Sequence, residues 1–315
     1  MTIPALSIRS MSGHRRITAT LSRVRSFASD GVVQPKVWAR VRMPDNRGAK
    51  IVAQSQILFD DGAAYEHLMG VWSRSAGRNF LDFLSPRPNQ RWLDVGCGNG
   101  AFTDLVMHNC APDEMHGIDP SEGQLAYARK RLSGRRAVFQ QGDAMALPFE
   151  IDQFDIAIMA LVIHFVPDPA RAVAEMARVV RPGGTVASYV WAYDESLSPL
   201  DPFDVEFASV GVAAPKPPSL GAVSLSALGQ LWKAAGLEDL QVRTIMTERT
   251  FANFDEMWTS VTGTGRLKLA VATIEPATLA RIQAALRARL PADAQGRITY
   301  SSKANAIKGR VPITK

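Results

Sequence analysis

The sequence predicts an α/β fold, an open, mostly parallel, doubly wound sheet. Three observations predict it. An apolar segment, Arg91 to Val95, runs into glycines at alternate positions, Gly96, Gly98 and Gly100. Acids close successive apolar runs at about 25-residue intervals (Asp94, Asp119 and Asp143), the pitch of a βα unit. Strand-like and helix-like patterns alternate through five strands, as a parallel sheet requires.

Taken in order, regular structure is expected from near Asp60. Tyr65, Leu68, Met69, Trp72, Ala76, Phe80 and Leu84 recur three or four residues apart, an amphipathic helix that Pro86 and Pro88 end. A first strand over 91–95 feeds the glycine turn, and a helix follows over 100–109. The second strand is expected at 115–119. Ser121 opens its helix, with Gln124 three residues on to complete a capping box. The third strand covers 137–142, and Leu147-Pro148-Phe149 turns without making a full helix. The fourth, Phe154 to Leu161, is apolar almost throughout, as a strand covered on both faces should be.

Asp168 then caps a helix with Pro169 at its first position. Ala170, Val173, Ala174, Ala177 and Val180 form its buried stripe, and Arg181-Pro182-Gly183-Gly184 stops it. A fifth strand is expected at 185–190. Residues 194–221, rich in Pro, Ser and Gly, read as a long excursion over the surface. Ser224 begins a helix with Leu225, Leu228, Leu231 and Trp232 on one face, closed by Gly236. A strand is expected at 240–251, helices at 254–270 and 279–290, and a final strand at 297–308. The two helices form an insertion between the last strands that either caps a site or thickens one edge.

Composition sets outer bounds. The 315 residues are nearly half apolar, enough for one large domain with an appended cap. No apolar run reaches the roughly 18 residues of a membrane span. Cys97 and Cys110 make neither a disulfide framework nor a metal-ligand cluster, so reduced thiols, a cytoplasmic setting and no metal are expected. Residues 1–50 carry ten Lys/Arg against two acids, Asp30 and Asp45, which leaves the remainder slightly acidic. Nucleic-acid binding by the folded body is therefore not indicated. The basic, Ser-rich stretch reads as a flexible N-terminal extension over 1–55, or as a start codon placed upstream of a true start near Met43. An organelle transit peptide is the alternative.

The chemistry lies at the predicted strand ends. A turn without Cβ atoms lets a cofactor approach the backbone, and the helix after it aims free N–H groups at an anionic group. Asp119 can accept hydrogen bonds from both hydroxyls of a ribose. Asp143 can accept from an adenine amino group, with the Ala144 N–H meeting a ring nitrogen. Asp94 can accept from an ammonium. The run Gly96-Cys97-Gly98-Asn99-Gly100-Ala101 also satisfies the dinucleotide fingerprint, with Asp119 about 20 residues on, so a nicotinamide-dependent oxidoreductase remains a rival. Alternate glycine spacing, the acid two residues before Gly96 and a use for Asp143 all favour an adenosine cofactor bearing an amino acid. A non-catalytic binding protein on the same fold is a third reading.

The stretch from Arg91 to Tyr193 resembles the class I S-adenosylmethionine-dependent methyltransferases, in particular the small-molecule branch of ubiquinone and menaquinone biosynthesis. The resemblance is carried by Leu93-Asp94-Val95-Gly96-Cys97-Gly98-Asn99-Gly100, Gly117-Ile118-Asp119-Pro120-Ser121, Gly142-Asp143-Ala144 with Leu147-Pro148-Phe149, Phe154-Asp155, Leu161 through Pro169, and Val179-Val180-Arg181-Pro182-Gly183-Gly184. It implies a Rossmann-like, seven-stranded sheet whose last strand is antiparallel, in a domain over 56–315 with a helical cap at about 254–290. It also implies S-adenosylmethionine as cofactor, held by Asp94, Gly96, Cys97, Gly98, Gly100, Asp119, Pro120, Asp143, Ala144 and Leu161. More loosely, Tyr65-Glu66-His67-Leu68-Met69-Gly70 and the chain from Trp258 resemble uncharacterised members of this branch.

The expected reaction is in-line transfer of the sulfonium methyl to a small hydrophobic or aromatic acceptor. A weakly acidic acceptor needs a base as well. His164, just after the fourth strand, is the first candidate for a catalytic role, and a histidine simply packed against the next helix is the competing reading. His67, Tyr65 and Tyr193 are weaker alternatives. Met69, Trp72, Trp191 and Trp258 are candidates for an acceptor pocket, though core packing accounts for such residues equally well.

Overall fold

The computed structural model describes residues 62–212, 216–263 and 265–313, without the side chains of 62–68, 265, 266 and 269. The expectations for 1–55 lie outside the described residues, as do the side chains of Tyr65 and His67. The described chain builds one seven-stranded sheet in the order β3-β2-β1-β4-β5-β7-β6. Its strands are β1 (Arg91–Val95), β2 (Glu114–Asp119), β3 (Ala137–Gln141), β4 (Phe154–Ala160), β5 (Val180–Trp191), β6 (Glu238–Phe251) and β7 (Ile298–Arg310). β1 through β5 pair in parallel, and β7 runs antiparallel to both β5 and β6. This is the expected sheet, last strand included.

The helices are α1 (Gly62–Leu84), α2 (Ala101–Asn109), α3 (Glu122–Arg131), α4 (Pro169–Val179), α5 (Asp201–Ser209), α6 (Leu225–Ala234), α7 (Phe254–Thr262), α8 (Gly265–Thr273) and α9 (Pro276–Arg289). The three capping residues act as expected, but the capping box at Ser121 does not close, because Ser121 N donates to Asp119 Oδ1 instead of to Gln124. The Ser121 hydroxyl accepts from Gln124 N, the Asp168 carboxylate from Arg171 N and the Ser224 hydroxyl from Ala227 N. Each satisfies one of the N–H groups that a helix start leaves over. β4, the central strand, is buried over all but its last residue. It anchors a core of Leu93, Val95, Met176, Val179, Val186, Trp232 and Ile307 on the α4–α6 face. The Trp232 indole donates to Val186 O at 2.9 Å, so the largest side chain there leaves no buried donor unmet.

Three expectations need correction. The stretch 194–221 is not all surface excursion: α5 lies inside it, with Phe203 and Phe207 fully buried. Leu200 precedes Asp201-Pro202, and Pro in the first turn costs nothing because its missing N–H is one of the unpaired ones. β5 begins at Val180, not Thr185, so Val180 belongs to the strand rather than to the α4 stripe. The Pro-Gly-Gly segment is absorbed by a register shift between Phe154 and Ile156. The helix expected at 254–270 breaks at Gly263 into α7 and α8, so the insertion holds three helices.

Topology places these insertions. Both β5 and β6 are antiparallel to β7, so their C-terminal ends share the rim at which β1 to β4 also end. α5 leaves that rim after β5, and α7 to α9 leave it after β6. β5 stops at the pair Trp191–Ala304, whereas β6 and β7 remain paired to Phe251–Ile298. Six more residues of β7 therefore project past β5, roughly 20 Å of two-stranded arm. α1 braces this arm, its Trp72 ring 5.1 Å from Tyr300.

Candidate functional site

Because β3, β2 and β1 are adjacent and parallel, Asp143, Asp119 and Asp94 all stand at the same rim, on strands about 4.8 Å apart. β4 lies on the other side of β1. The winding direction thus reverses between β1 and β4, where open α/β sheets leave a crevice for ligands.

The turn after β1 is held by its neighbour. Gly96 N and Cys97 N both donate to Ile118 O, at 2.7 and 3.0 Å, and Gly98 N donates to Asp119 Oδ2 at 2.9 Å. Ser121 N donates to Asp119 Oδ1, also at 2.9 Å. Asp119 therefore ties the glycine turn to the start of α3, a task the sequence reading missed. Each of its oxygens keeps a second lone pair. Pro120 joins the next strand end: its carbonyl accepts from Gln141 Nε2 at 2.8 Å.

The glycines divide the work. Gly96 has φ 75°, and a Cβ there would lie 2.5 Å from Val162 Cγ1, so this position serves packing against the chain after β4. Gly98 has φ 51°, and a Cβ there meets only Gln124 Oε1, at 4.0 Å. Gly98 is the one that leaves room beside the backbone. Gly100 precedes α2 with φ 75° and supplies no side-chain cap; the first N–H of α2, that of Ala101, donates instead to Asn99 Oδ1 at 3.2 Å.

Asp94 is fully buried. Thr103 Oγ1 donates to its Oδ2 at 2.7 Å, while Oδ1 has no hydrogen-bond partner among the described residues. Burial pushes this carboxyl up to about 7; the Thr103 hydrogen bond opposes the rise and the Asp119 charge adds to it. Burial also raises Asp119, against the two backbone N–H groups that hold it down. The buried Cys97 thiol is raised well above its ordinary value, first by burial and then by Asp94 and Asp119, and is a neutral packing group. Asp143 is exposed and accepts from Met145 N at 2.8 Å. Ala144 packs beside it against the main core. Leu161, just past β4, takes the left-handed conformation (φ 62°) with its N–H on Tyr189 O at 2.8 Å. A branched side chain held there marks a strained strand tip at the rim.

His164 lies on a 3-10 turn, Ile163–Phe165, and is 1% exposed. Its ring centroid is 3.9 Å from that of Phe165 and 5.2 Å from that of Tyr193, and Nδ1 has no hydrogen-bond partner among the described residues. Burial lowers its pKa to about 3, so the ring is neutral at ordinary pH. Met69, Trp72 and Trp191 are buried, and Trp258 is partly buried among Phe203, Phe207 and Phe254. Among the described residues no three His, Cys, Asp or Glu side chains gather as a metal site, and no helix is long and apolar enough to cross a membrane.

Comparison with known proteins agrees with this geometry. Residues 93–188 match the family model described as a methyltransferase domain. A demethylmenaquinone methyltransferase of Roseiflexus castenholzii is 27% identical over 208 residues, 58% of this chain and 84% of that protein. The chain carries a class I S-adenosylmethionine-dependent methyltransferase domain. An uncharacterized 37.1 kDa protein from a Streptomyces fradiae transposon is 39% identical over 114 residues, 36% of this chain and only 33% of the relative's own length. The Haemonchus contortus phosphoethanolamine N-methyltransferase 2, solved with S-adenosyl-L-methionine, shares the fold with a TM-score of 0.50 at 18% identity. That alignment covers 82% of this chain and 58% of that one. S-adenosylmethionine is the cofactor of this domain. The open side of Gly98 and the orphaned Asp94 oxygen suit it.

Proposed function

We propose that the protein transfers the methyl group of S-adenosylmethionine to a small hydrophobic or aromatic acceptor. One observation carries the reading: a fully buried carboxylate, Asp94, with one oxygen unpartnered at the rim where Asp119 and Asp143 also stand. Two further carboxylates suit a ribose and an adenine, whereas a pyrophosphate beside Asp94 would set like charges together. In this reading the Asp94 carboxylate and the backbone of Gly96, Cys97, Gly98 and Gly100 hold the amino-acid portion. Asp119 and Pro120 hold the ribose, Asp143 and Ala144 the adenine, and Leu161 closes the β4 side.

When bound, the cofactor supplies an already activated sulfonium methyl group. The protein's own work is then to hold an acceptor in line and keep water out. α5 and α7 to α9 leave the sheet at the same rim as the three acids; α5 and α7 bring Phe203, Phe207, Phe254 and Trp258 together, and α9 buries Ile282 and Leu286. That supports an apolar acceptor, as does the demethylmenaquinone named for the Roseiflexus relative. His164, with its conjugate acid near pH 3, accepts protons weakly at neutral pH. We assign it to packing of the turn after β4, which suits neutral nucleophiles or acceptors that ionise unaided.

The deciding experiment incubates the protein with methyl-labelled cofactor and a cell extract, then identifies the labelled product. Label in an apolar small molecule is expected; label in protein or RNA would reject the acceptor class. Asp119→Ala is expected to weaken cofactor binding about 100-fold, since charge-assisted hydrogen bonds to two ribose hydroxyls and the tether to Gly98 go together.

A further inference from the structure

Asp94 is an odd choice for capturing an ammonium if left to itself. Complete burial favours the protonated acid, and a protonated carboxyl attracts no cation. Charged and titratable neighbours do not help. Asp119, on the adjacent strand tip, repels a second negative charge, and Cys97, on the following turn, stays a neutral thiol. The counterweight comes from α2. Thr103 stands nine residues along, on the first turn of that helix, itself fully buried. A threonine in a helix can turn its hydroxyl back to the carbonyl four residues earlier. Here the hydroxyl instead gives its single proton to Asp94 Oδ2 at 2.7 Å and leaves Oδ1 without a partner among the described residues.

We propose that Thr103 is a positioning residue for cofactor capture: its hydroxyl holds Asp94 as an oriented carboxylate, so that the unpartnered oxygen receives the cofactor's ammonium at neutral pH. The proposal rests on the methyltransferase reading of this site and adds to it a second residue and a pH dependence. A donor to the carboxylate stabilises the charged form only, since the protonated acid gains less from it. Removing the hydroxyl therefore moves the titration of Asp94 upward. Adenine and ribose recognition, on the neighbouring strands, does not pass through Thr103.

The test uses two ligands and two variants. S-adenosylhomocysteine keeps the ammonium and is unreactive, and 5′-methylthioadenosine keeps adenine and ribose but lacks the ammonium. Calorimetric affinities are measured from pH 5.5 to 9 for the wild type, Thr103→Val and Thr103→Ser. Wild-type affinity for S-adenosylhomocysteine is expected to fall on acidification below about pH 7. Thr103→Val should move that midpoint up by about one pH unit, a roughly fivefold loss at pH 7 that approaches about tenfold at lower pH. Thr103→Ser should restore it, and 5′-methylthioadenosine should bind all three proteins within about twofold at every pH. An unmoved midpoint in Thr103→Val, or an equal loss of 5′-methylthioadenosine affinity, overturns the proposal and leaves the methyltransferase reading standing. If the wild type binds neither ligand at any pH, that reading falls and takes the proposal with it. Should Thr103→Val not fold, Thr103→Ala is measured in its place.

Discussion

Burying a carboxylate costs stability unless enough donors or a cation meet it, and among the described residues Asp94 has one donor, Thr103. Its folded pKa, about 7, lies above the ordinary carboxylate value. Between about pH 4 and 7 the native protein keeps a proton that the unfolded chain has released. Stability from this group is thus full at low pH and declines as pH rises through that window, by about 4 kcal/mol in all. Asp94→Asn removes the charge and keeps the shape. It is expected to melt several degrees higher than the wild type at pH 8, to lose most of that pH dependence, and to bind S-adenosylhomocysteine at least about 30-fold more weakly. Thermal melts from pH 5 to 9 with parallel calorimetry check all three; wild-type affinity in the variant would remove Asp94 from the site. His164 makes the opposite case. Its neutral ring needs no proton to stay buried, so His164→Asn is expected to lower the melting temperature without removing a limb from the pH profile of turnover. Loss of a limb near neutral pH would restore it as a base.

Elements were legible where one local signal decided them. Ser121, Asp168 and Ser224 named helix starts because a cap depends on a side chain and a backbone only three residues apart. The site was legible for a related reason. A parallel strand must end in a loop at the rim, so Asp94, Asp119 and Asp143 could be placed together before any contact was known. What sequence missed depends on distant partners. α5 is a nine-residue helix whose Phe203 and Phe207 are bought into the core by Trp258, more than fifty positions on, and the Pro- and Ser-rich flanks hide its short period. Equally invisible was Lys308. From β7 its ammonium donates to Phe83 O at 2.7 Å and Leu84 O at 3.3 Å, closing the end of α1 across a separation of 225 positions. Lys308→Met keeps the stem and removes the donors. It is expected to cost about 2 kcal/mol in urea unfolding, because two helix-end carbonyls lose a charged partner. A loss below about 0.5 kcal/mol would make this contact incidental.

At the scale of the molecule, two insertions far apart in sequence meet as one body. α5 follows β5, α7 and α9 follow β6, and the indole of Trp258 sits 6.2 to 6.4 Å from the rings of Phe203, Phe207 and Phe254. Arg289 of α9 reaches Glu206 of α5 at 2.7 Å, an ion pair with both side chains largely out of water. Such a pair is costly to break from one side, since the partner is left charged and buried. This helical body is therefore held by an aromatic cluster and a latch, while the three acids are held by the sheet, and the two can be perturbed separately. Trp258→Ala should open a cavity among the three phenylalanines and loosen α5 and α9 without moving β1 or β2. Hydrogen exchange is expected to quicken in 201–209 and 276–289 and to stay unchanged in 91–95 and 114–119. Affinity for S-adenosylhomocysteine should remain within about twofold, while turnover of an apolar acceptor falls about tenfold or more, as the walls that exclude water give way. Equal loss of cofactor affinity and turnover would mean that the helices brace the sheet itself, and that the acceptor is enclosed by some other part of the chain.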